Sequence, residues 1–383
     1  MFAKRSTASL FSAVCAAAIL SMTASPVSAQ TIQTDAREAI VLDHATGRIL
    51  LEKASDTRMP TASMSKLATM YMVFEAIENG RLQLDDELPV SEKAWSKGGS
   101  KMFVEVGSSV SVSDLIRGVI VQSGNDATIV LAEALGGTED AFAQSMTRRM
   151  HEIGMTSSNF MNASGWPDPE HYSTARDLST LARHLIDDFP EFYPIYSELE
   201  FTYNGIKQGN RNPLLYRNIG ADGLKTGHTE EAGYGLVASA KRNDRRIVLV
   251  VSGLDSMQAR ADESAKLLEW AFANFDNYRI YEPGSTVYEL PVWLGADARV
   301  PLVLEDEVQV TLSMAEKGSL SAHIEATQPA PAPVNAGDIL GQLVVSIDGQ
   351  ETKYPLRAGK DVAQLDFAGR VEAALTHIVF GSQ

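Results

Sequence analysis

The spacing of apolar residues changes character several times along the chain, and each change predicts an element. Leu10 to Met22 is an unbroken apolar run behind Lys4 and Arg5. Alternation then predicts two strands, Ala39–Asp43 and Arg48–Glu52, joined by a turn at His44-Ala45-Thr46-Gly47. From Ser63 the period becomes helical: Leu67, Met70, Tyr71, Phe74 and Ile77 share a face, and Asn79-Gly80 stops it. Residues 81–110 read as irregular and polar. Ser111-x-x-Asp114 opens a helix with Leu115, Ile116, Val119 and Ile120 inward, and Ser123-Gly124-Asn125 breaks it. Asp126 is expected to cap the next helix, Ala127–Leu135, which ends at Gly136-Gly137. Further helices are expected over Ala141–Ile153 and Leu178–Ile186, the second opened by Thr174-Ala175-Arg176-Asp177.

Residues 190–220 read as surface loop and hairpin. Strands Tyr234–Ala240 and Ile247–Ser252 follow, with a turn at Asn243-Asp244, so residues 225–227 fall on an antiparallel edge strand. A helix over 257–275, with Leu267, Leu268, Trp270, Ala271 and Phe275 apolar, should pack on that sheet. From Tyr278 the period becomes two, over Thr286–Leu294, Val300–Leu304, Val308–Leu312, Ser319–Ala326 and Ile339–Ile347, which predicts a small all-β domain. Gln328 to Val334, rich in Pro and Ala, is a loop between strands or a polyproline stretch. Phe367, Val371, Leu375, Ile378 and Val379 return to helical spacing. That last helix either lies on a membrane or docks on protein; its polar face carries Arg370 and Glu372 and lacks the usual basic character.

The first apolar run is too short for a good membrane span and ends at Val27-Ser28-Ala29, a small-x-small cleavage pattern. Residues 1–29 are therefore expected to be a signal peptide. Cys15, the single cysteine, lies inside it, and Ser12 stands where a lipoprotein leader would carry Leu. The mature chain has no thiol, which suits an exported protein that folds on its core alone. Cleavage removes Lys4 and Arg5 and no acid, so the net charge moves from −16 to −18. That balance argues against nucleic acid and against broad adhesion to anionic lipid. No His-Glu-x-x-His, phosphate-binding Gly-rich loop or Gly-x-Ser-x-Gly occurs, so no metal or nucleotide cofactor is expected.

Three short motifs carry chemistry. In Ser63-Met64-Ser65-Lys66, a Ser63 that opens its helix stands on one face with Lys66. A hydroxyl needs a neighbour to take its proton, and a desolvated amine beside other cations can do so. Ser123-Gly124-Asn125 should sit on a tight loop between two buried helices, aimed into a cleft. In Asp222-Gly223-Leu224-Lys225-Thr226-Gly227-His228-Thr229, Lys225 offers a cation, Thr226 and Thr229 offer hydroxyls suited to a carboxylate, and Gly227 lets a ligand approach the backbone. Each motif also has a plainer reading: a wet helix face, a helix-breaking turn, a strand end with an exposed Lys.

Order and uniqueness weigh against the plainer readings. Ser63-x-x-Lys66 is the chain's only Ser-x-x-Lys, and Lys225-Thr226-Gly227 its only Lys-Thr/Ser-Gly. Ser157-Ser158-Asn159 and Tyr216-Arg217-Asn218 also fit the middle motif, but only residues 123–125 sit between apolar helices. Ser-x-x-Lys, Ser-x-Asn and Lys-Thr-Gly in this order resemble penicillin-binding proteins and serine β-lactamases. With Leu42-Asp43-x-x-Thr46-Gly47, Asn162-x-x-Gly165 leading to Ala175-x-Asp177, and Lys225 to Thr229, the chain closely resembles low-molecular-mass D-alanyl-D-alanine carboxypeptidases, peptidase family S11.

The resemblance implies an α/β (α+β) serine β-lactamase/transpeptidase-like domain over 30–276, its antiparallel sheet flanked by helices. An all-β C-terminal domain over 277–364 and an amphipathic, membrane-associating helix over 365–383 would follow. It implies that Ser63 attacks the carbonyl between two D-alanines of a peptidoglycan stem peptide and that Lys66 takes its proton. Backbone N–H groups of Ser63 and His228 would form the oxyanion hole. Ser123 would relay a proton to the leaving amine, Asn125 hold the peptide amide, and Lys225 keep the site electropositive so that Lys66 stays neutral. Thr226, Thr229 and Arg260 would bind the terminal carboxylate, Arg260 by spacing alone. β-Lactam antibiotics would acylate Ser63. The expected address is periplasmic, peripheral on the outer face of the inner membrane. The alternatives are a D,D-endopeptidase, a β-lactamase, or a non-catalytic peptidoglycan-binding scaffold. A class A β-lactamase would want Glu-x-x-Leu-Asn where this chain has Asp168 and Glu170, and has no extra β domain.

Overall fold

The computed structural model describes residues 32–380; the signal-peptide expectation lies outside them. The first strands, β1 (Glu38–Asp43) and β2 (Ile49–Lys53), form the expected hairpin. A 3-10 turn, Ala62–Ser65, precedes α1 (Lys66–Glu78), so Ser63 sits in that turn rather than opening the α-helix. The stretch read as irregular holds β3 (Glu87–Pro89), α2 (Glu92–Ser96) and β4 (Ser109–Ser111), with β3 and β4 paired. Then come α3 (Val112–Ile120), α4 (Asn125–Gly136), α5 (Glu139–Glu152) and α6 (Ala175–Asp188). Gly124 takes the N-cap position of α4. Asp126 is not the cap: it is wholly buried and its carboxylate accepts the backbone N–H groups of Met102, Phe103 and Val104. The hairpin β5 (Glu200–Tyr203) and β6 (Ile206–Gly209) occupies the segment read as surface, yet Tyr193, Tyr196 and Leu214 within that segment are buried.

The strands β7 (Ala221–Thr229), β8 (Gly233–Arg242) and β9 (Arg245–Leu254) complete an antiparallel sheet in the order β2-β1-β9-β8-β7, with β7 at an edge. Its two faces serve two cores. Ile40, Leu42, Val248 and Val250 face α1 and its neighbours, whereas Ala39, Val41, Ile247, Leu249 and Val251 face α7 (Met257–Asn274). Burial on both faces is why residues 247–251 form a continuous apolar run instead of alternating.

The chain passes from α7 directly into β10 (Phe275–Tyr281), which pairs with a later strand. The expected β segments appear as β11 (Thr286–Trp293), β12 (Arg299–Val303), β13 (Val308–Ser313) and β14 (Ser321–Ala326). The Pro/Ala stretch is a loop holding the two-residue β15 (Ala330–Pro331), and β16 (Ile339–Ile347) follows it. A further strand, β17 (Gln350–Ala358), escapes sequence reading because Glu351, Lys353, Pro355 and Arg357 leave it little apolar signal. Six of these strands form one sheet in the order β14-β16-β17-β12-β11-β15 around Leu290, Leu302, Leu343 and Leu356. The last helix, α8 (Phe367–Phe380), leaves Phe367, Val371 and Leu375 exposed, so the described protein does not cover those positions.

One buried carboxylate ties the β domain to the sheet. Asp43 is 0% exposed. One of its oxygens accepts from Thr46 N–H at 3.1 Å and from Asn277 Nδ2 at 3.1 Å; the other accepts from Arg245 Nε at 2.9 Å. Thr311 extends the network through Thr46, at 2.6 Å, and Asn277, at 2.8 Å. Arg245 also donates to the carbonyl of Phe275, the first residue of β10. Asp43→Ala would leave the Arg245 guanidinium buried without its counter-charge. It should lower stability by about 3–5 kcal/mol, read from the denaturant midpoint; a midpoint equal to wild type would show that the junction draws nothing from this network.

Candidate active site

The site is built around the 3-10 turn before α1. Ala62 adopts φ +48°, a left-handed conformation that costs a non-glycine residue about 1 kcal/mol or more and must be held from outside. Two glycines hold it by close approach. A Cβ on Gly165 would lie 1.7 Å from the Ala62 carbonyl oxygen, and one on Gly227 would lie 2.7 Å from that of Thr61 and 3.0 Å from Met64 Cγ. Gly227 therefore lacks a side chain so that β7 can pack on the turn that carries Ser63, a packing role that sequence reading did not supply.

Lys66 is wholly buried. Its Nζ lies 2.8 Å from Ser63 Oγ, 2.7 Å from Asn125 Oδ1 and 2.8 Å from the Ser164 carbonyl oxygen. Asn125 Nδ2 donates to the Gly98 carbonyl at 2.9 Å, which fixes the amide so that its oxygen faces Lys66. Two of the three neighbours of Nζ can therefore only accept. As an ammonium the group donates to all three; as a neutral amine, with two protons and one lone pair, it would give the protons to Asn125 and Ser164 and leave the lone pair for the Ser63 hydroxyl. Burial pushes the Lys66 amine down to about 7; the positive charges of Arg211 and Lys97 push the same way and Asp126 opposes them.

Ser123 sits between α3 and α4 at φ +59° and is 1% exposed. Lys225 Nζ donates to its Oγ at 2.9 Å and to the Thr226 carbonyl at 3.1 Å. Burial drives the Lys225 amine well below its ordinary value, helped by Lys66, Arg211 and Arg260. Sequence reading gave Lys225 the part of keeping the site electropositive; the cations that weigh most on Lys66 are Arg211 and Lys97.

Ser63, Ser123, Thr226, Gly227, His228 and Arg260 line one cavity of about 500 Å³. Arg260 is buried in the first turn of α7 with its guanidinium 5.7 Å from the Tyr234 ring centre, and burial pushes it down to about 10. Its Nε finds no hydrogen-bond partner among the described residues. The ring of His228 lies 3.9 Å from that of Tyr234. Thr229 does not line the cavity: its hydroxyl accepts the Ala232 N–H at 3.1 Å and closes the β7–β8 turn.

Sequence reading missed Arg211, which lines the cavity and donates to Ser100 Oγ at 2.5 Å. It belongs to a segment read as surface. Its flanking asparagines hold it there: Asn210 Nδ2 donates to the Glu198 carbonyl at 2.9 Å and Asn212 Nδ2 to that of Gly223 at 2.8 Å. An Arg between two asparagines that hold the loop was the only available signal. With Arg211 and Arg260 facing a cavity lined by no acid, the arrangement suits acyl transfer from a substrate that ends in a carboxylate. Among the described residues, no group of His, Asp and Glu is placed to hold a metal ion.

The family described as D-alanyl-D-alanine carboxypeptidase matches residues 23–256, and that described as penicillin-binding protein 5, C-terminal domain, matches residues 275–364. A D-alanyl-D-alanine carboxypeptidase of Haemophilus influenzae, DacA, is 38% identical over 346 residues, which is 88% of each chain. The crystal structure of penicillin binding protein 5 from Haemophilus influenzae superposes with a TM-score of 0.82 at 38% identity, covering 87% of this chain and 99% of that one. Penicillin-binding protein D2 from Listeria monocytogenes, solved with ampicillin bound, is 32% identical and covers 63% of this chain and 99% of its own, with a TM-score of 0.59.

The Lys66 environment makes stability depend on pH in a defined direction. Below pH 7 the amine is charged in both folded and unfolded chains and its burial is at its most unfavourable. Between about 7 and 10.5 only the unfolded chain stays charged, so the penalty shrinks, and above 10.5 it vanishes. Lys66→Met should therefore gain stability over wild type most at pH 6 and least near pH 10.5, by several kcal/mol across the range. Denaturant midpoints of the two proteins measured across that range check it; a pH-independent difference would place the amine at its ordinary value.

Proposed function

The chain belongs to the family of D-alanyl-D-alanine carboxypeptidases, and from that premise we propose how its residues perform the reaction. The protein is a serine-type D-Ala-D-Ala carboxypeptidase that removes the terminal D-alanine from peptidoglycan pentapeptides through an acyl-enzyme and is acylated by β-lactams. The observation that carries the residue assignment is the buried Lys66 amine, 2.8 Å from Ser63 Oγ and beside two groups that can only accept.

In this reading Lys66 takes the hydroxyl proton as Ser63 Oγ attacks the carbonyl of the penultimate D-alanine. The developing oxyanion meets the backbone N–H groups of Ser63 and His228. Ser123, held by Lys225, passes the proton to the leaving amine. Asn125 has spent its oxygen on Lys66 and one N–H on Gly98, so its second N–H is the one that holds the substrate amide. The terminal carboxylate sits against Thr226, Arg260 and Arg211; Thr229, bound into its own turn, supports the strand end. Water then releases the shortened peptide. Asp168 and Glu170 are exposed and line no part of the cavity, which favours a carboxypeptidase over a fast-deacylating β-lactamase. A β-lactam presents a carboxylate and a strained amide to the same groups.

The working place fits the same picture. The Lys4-Arg5 start, the apolar run and the small-x-small end support export to the periplasm. The exposed Phe367, Val371 and Leu375 of α8 support peripheral attachment to the outer face of the inner membrane. No described helix is long and apolar enough to cross a membrane.

D-Alanine release from a pentapeptide ending in D-Ala-D-Ala should be seen with wild type and fall by roughly three orders of magnitude or more in Ser63→Ala. No release, with penicillin still bound covalently at Ser63, would move the assignment to an endopeptidase or binding role; neither release nor labelling would sink it. For the membrane, the protein processed at Ala29 should sediment with phospholipid vesicles, and Phe367→Ser with Val371→Ser should abolish sedimentation. Sedimentation unaffected by the double change would remove α8 from the account.

A further inference from the structure

Behind the nucleophile-bearing turn lies a polar chain that the reaction scheme does not use. Thr61 and Ser65 flank Ser63 and are both wholly buried, with their hydroxyls 2.5 Å apart. Ser65 Oγ lies 2.7 Å from His171 Nε2. The other ring nitrogen, Nδ1, lies 3.2 Å from the backbone nitrogen of Met161, which can only donate. Nδ1 is therefore the acceptor and Nε2 carries the proton. His171 donates to Ser65, and Ser65 has its own proton free for Thr61. The direction of the chain is fixed by one backbone N–H.

His171 is itself fixed on every side. It is 4% exposed, its ring packs edge-on against Phe160 at 5.5 Å, and its backbone N–H donates to the Asp168 carbonyl. It closes the loop that begins near Asn159 and carries Ser164, whose carbonyl accepts from Lys66. The same ring thus joins the turn that aims Ser63 to the loop that aims the base. Burial pushes the imidazole down to about 4, so it stays neutral, and keeps this donor and acceptor arrangement, at neutral pH.

The left-handed Ala62 gives this chain something to do. Gly165 and Gly227 exclude other positions for the turn from outside, but neither makes a directional bond to it. The Thr61–Ser65 contact closes the turn across Ser63, and His171 holds Ser65 in place. Resting on the reading of Ser63 as the nucleophile, we infer that His171 is a positioning residue for Ser63, acting through Ser65 and Thr61 to hold the hydroxyl against the Lys66 lone pair. It touches neither substrate nor the reacting atoms.

Two substitutions at one position separate this role from mere filling of space. In His171→Asn the side-chain oxygen can replace Nδ1 and keep the Met161 contact, while the donor to Ser65 is lost. In His171→Gln the amide nitrogen can replace Nε2 and keep the donor to Ser65, while the Met161 contact is lost. The readouts are the second-order rate of Ser63 acylation by a fluorescent penicillin and the thermal midpoint of each variant. His171→Asn should slow acylation at least tenfold, and His171→Gln should stay within about threefold of wild type at a similar loss of thermal midpoint. Ser65→Ala should match His171→Asn, and the Ser65→Ala/His171→Asn double variant should be no slower than either, because the two act in one chain. If His171→Asn does not fold, Ser65→Ala decides in the same terms.

Equal slowing by Asn and Gln, or a wild-type rate in Ser65→Ala, would overturn the inference. The reading of Ser63 as nucleophile is judged by wild type alone. A wild-type protein that penicillin does not label at Ser63 removes both claims, whereas a labelled wild type with a fully active His171→Asn removes only this one.

Discussion

Everything in the site depends on one constraint: a lysine amine is buried with no carboxylate to pair with it. Such a group is tolerated in a folded interior when its charge can leave, and the amine then becomes a base near neutral pH. The structure meets this with neutral acceptors, an amide oxygen and a main-chain carbonyl, which satisfy the protons of the amine without holding a full positive charge. The one acid with a marked influence, Asp126, is turned away by three backbone N–H groups of residues 102–104. A carboxylate placed directly on Nζ would keep Lys66 an ammonium and leave Ser63 with a donor where it needs an acceptor.

The same constraint explains the geometry around the amine. The lone pair is useful only if the Ser63 hydroxyl meets it, and Ser63 sits in a turn the backbone does not favour. Large-scale packing brings β7 and the Ser164 loop against that turn, and glycine at positions 165 and 227 permits the approach. Directional bonds then fix what packing leaves loose. Asn125 illustrates the economy: its amide is oriented by Gly98, takes one proton of Lys66, and keeps one N–H for a ligand.

How much of this was legible in the sequence follows from the physics of each feature. Strands and helices that bury one face announce themselves by period, and the β segments from 286 to 347 were readable for that reason. β17 was not, because its outward residues are charged and its inward ones few. The three motifs were readable because their chemistry needs particular residue types at close spacing along the chain. Arg211 was not, since only tertiary folding brings it to the cavity from a loop held by Asn210 and Asn212. Asp126 was seen but misassigned to capping, and for Gly227 the packing role was missed. In both cases the deciding neighbour, Thr61 for the glycine and the 102–104 backbone for the acid, is remote in sequence.

The cations that depress Lys66 are also the ones a substrate carboxylate would meet, and this links binding to reactivity. Arg211 contributes to lowering the proton affinity of Lys66, and Arg211 and Arg260 face the same cavity. In the empty cleft their charges help keep the amine neutral and its lone pair available. A carboxylate arriving between them offsets part of that charge, so the proton affinity of Lys66 rises while the hydroxyl proton is still on Ser63. The neutral fraction of the amine, about half near pH 7, then meets Ser63 as a stronger base once the substrate is seated. A peptide without the terminal carboxylate gives up both its anchoring contacts and this increase. On that reading, selectivity for a free chain end would arise at the chemical step as well as at binding, from the position of two guanidinium groups that the motifs themselves do not contain.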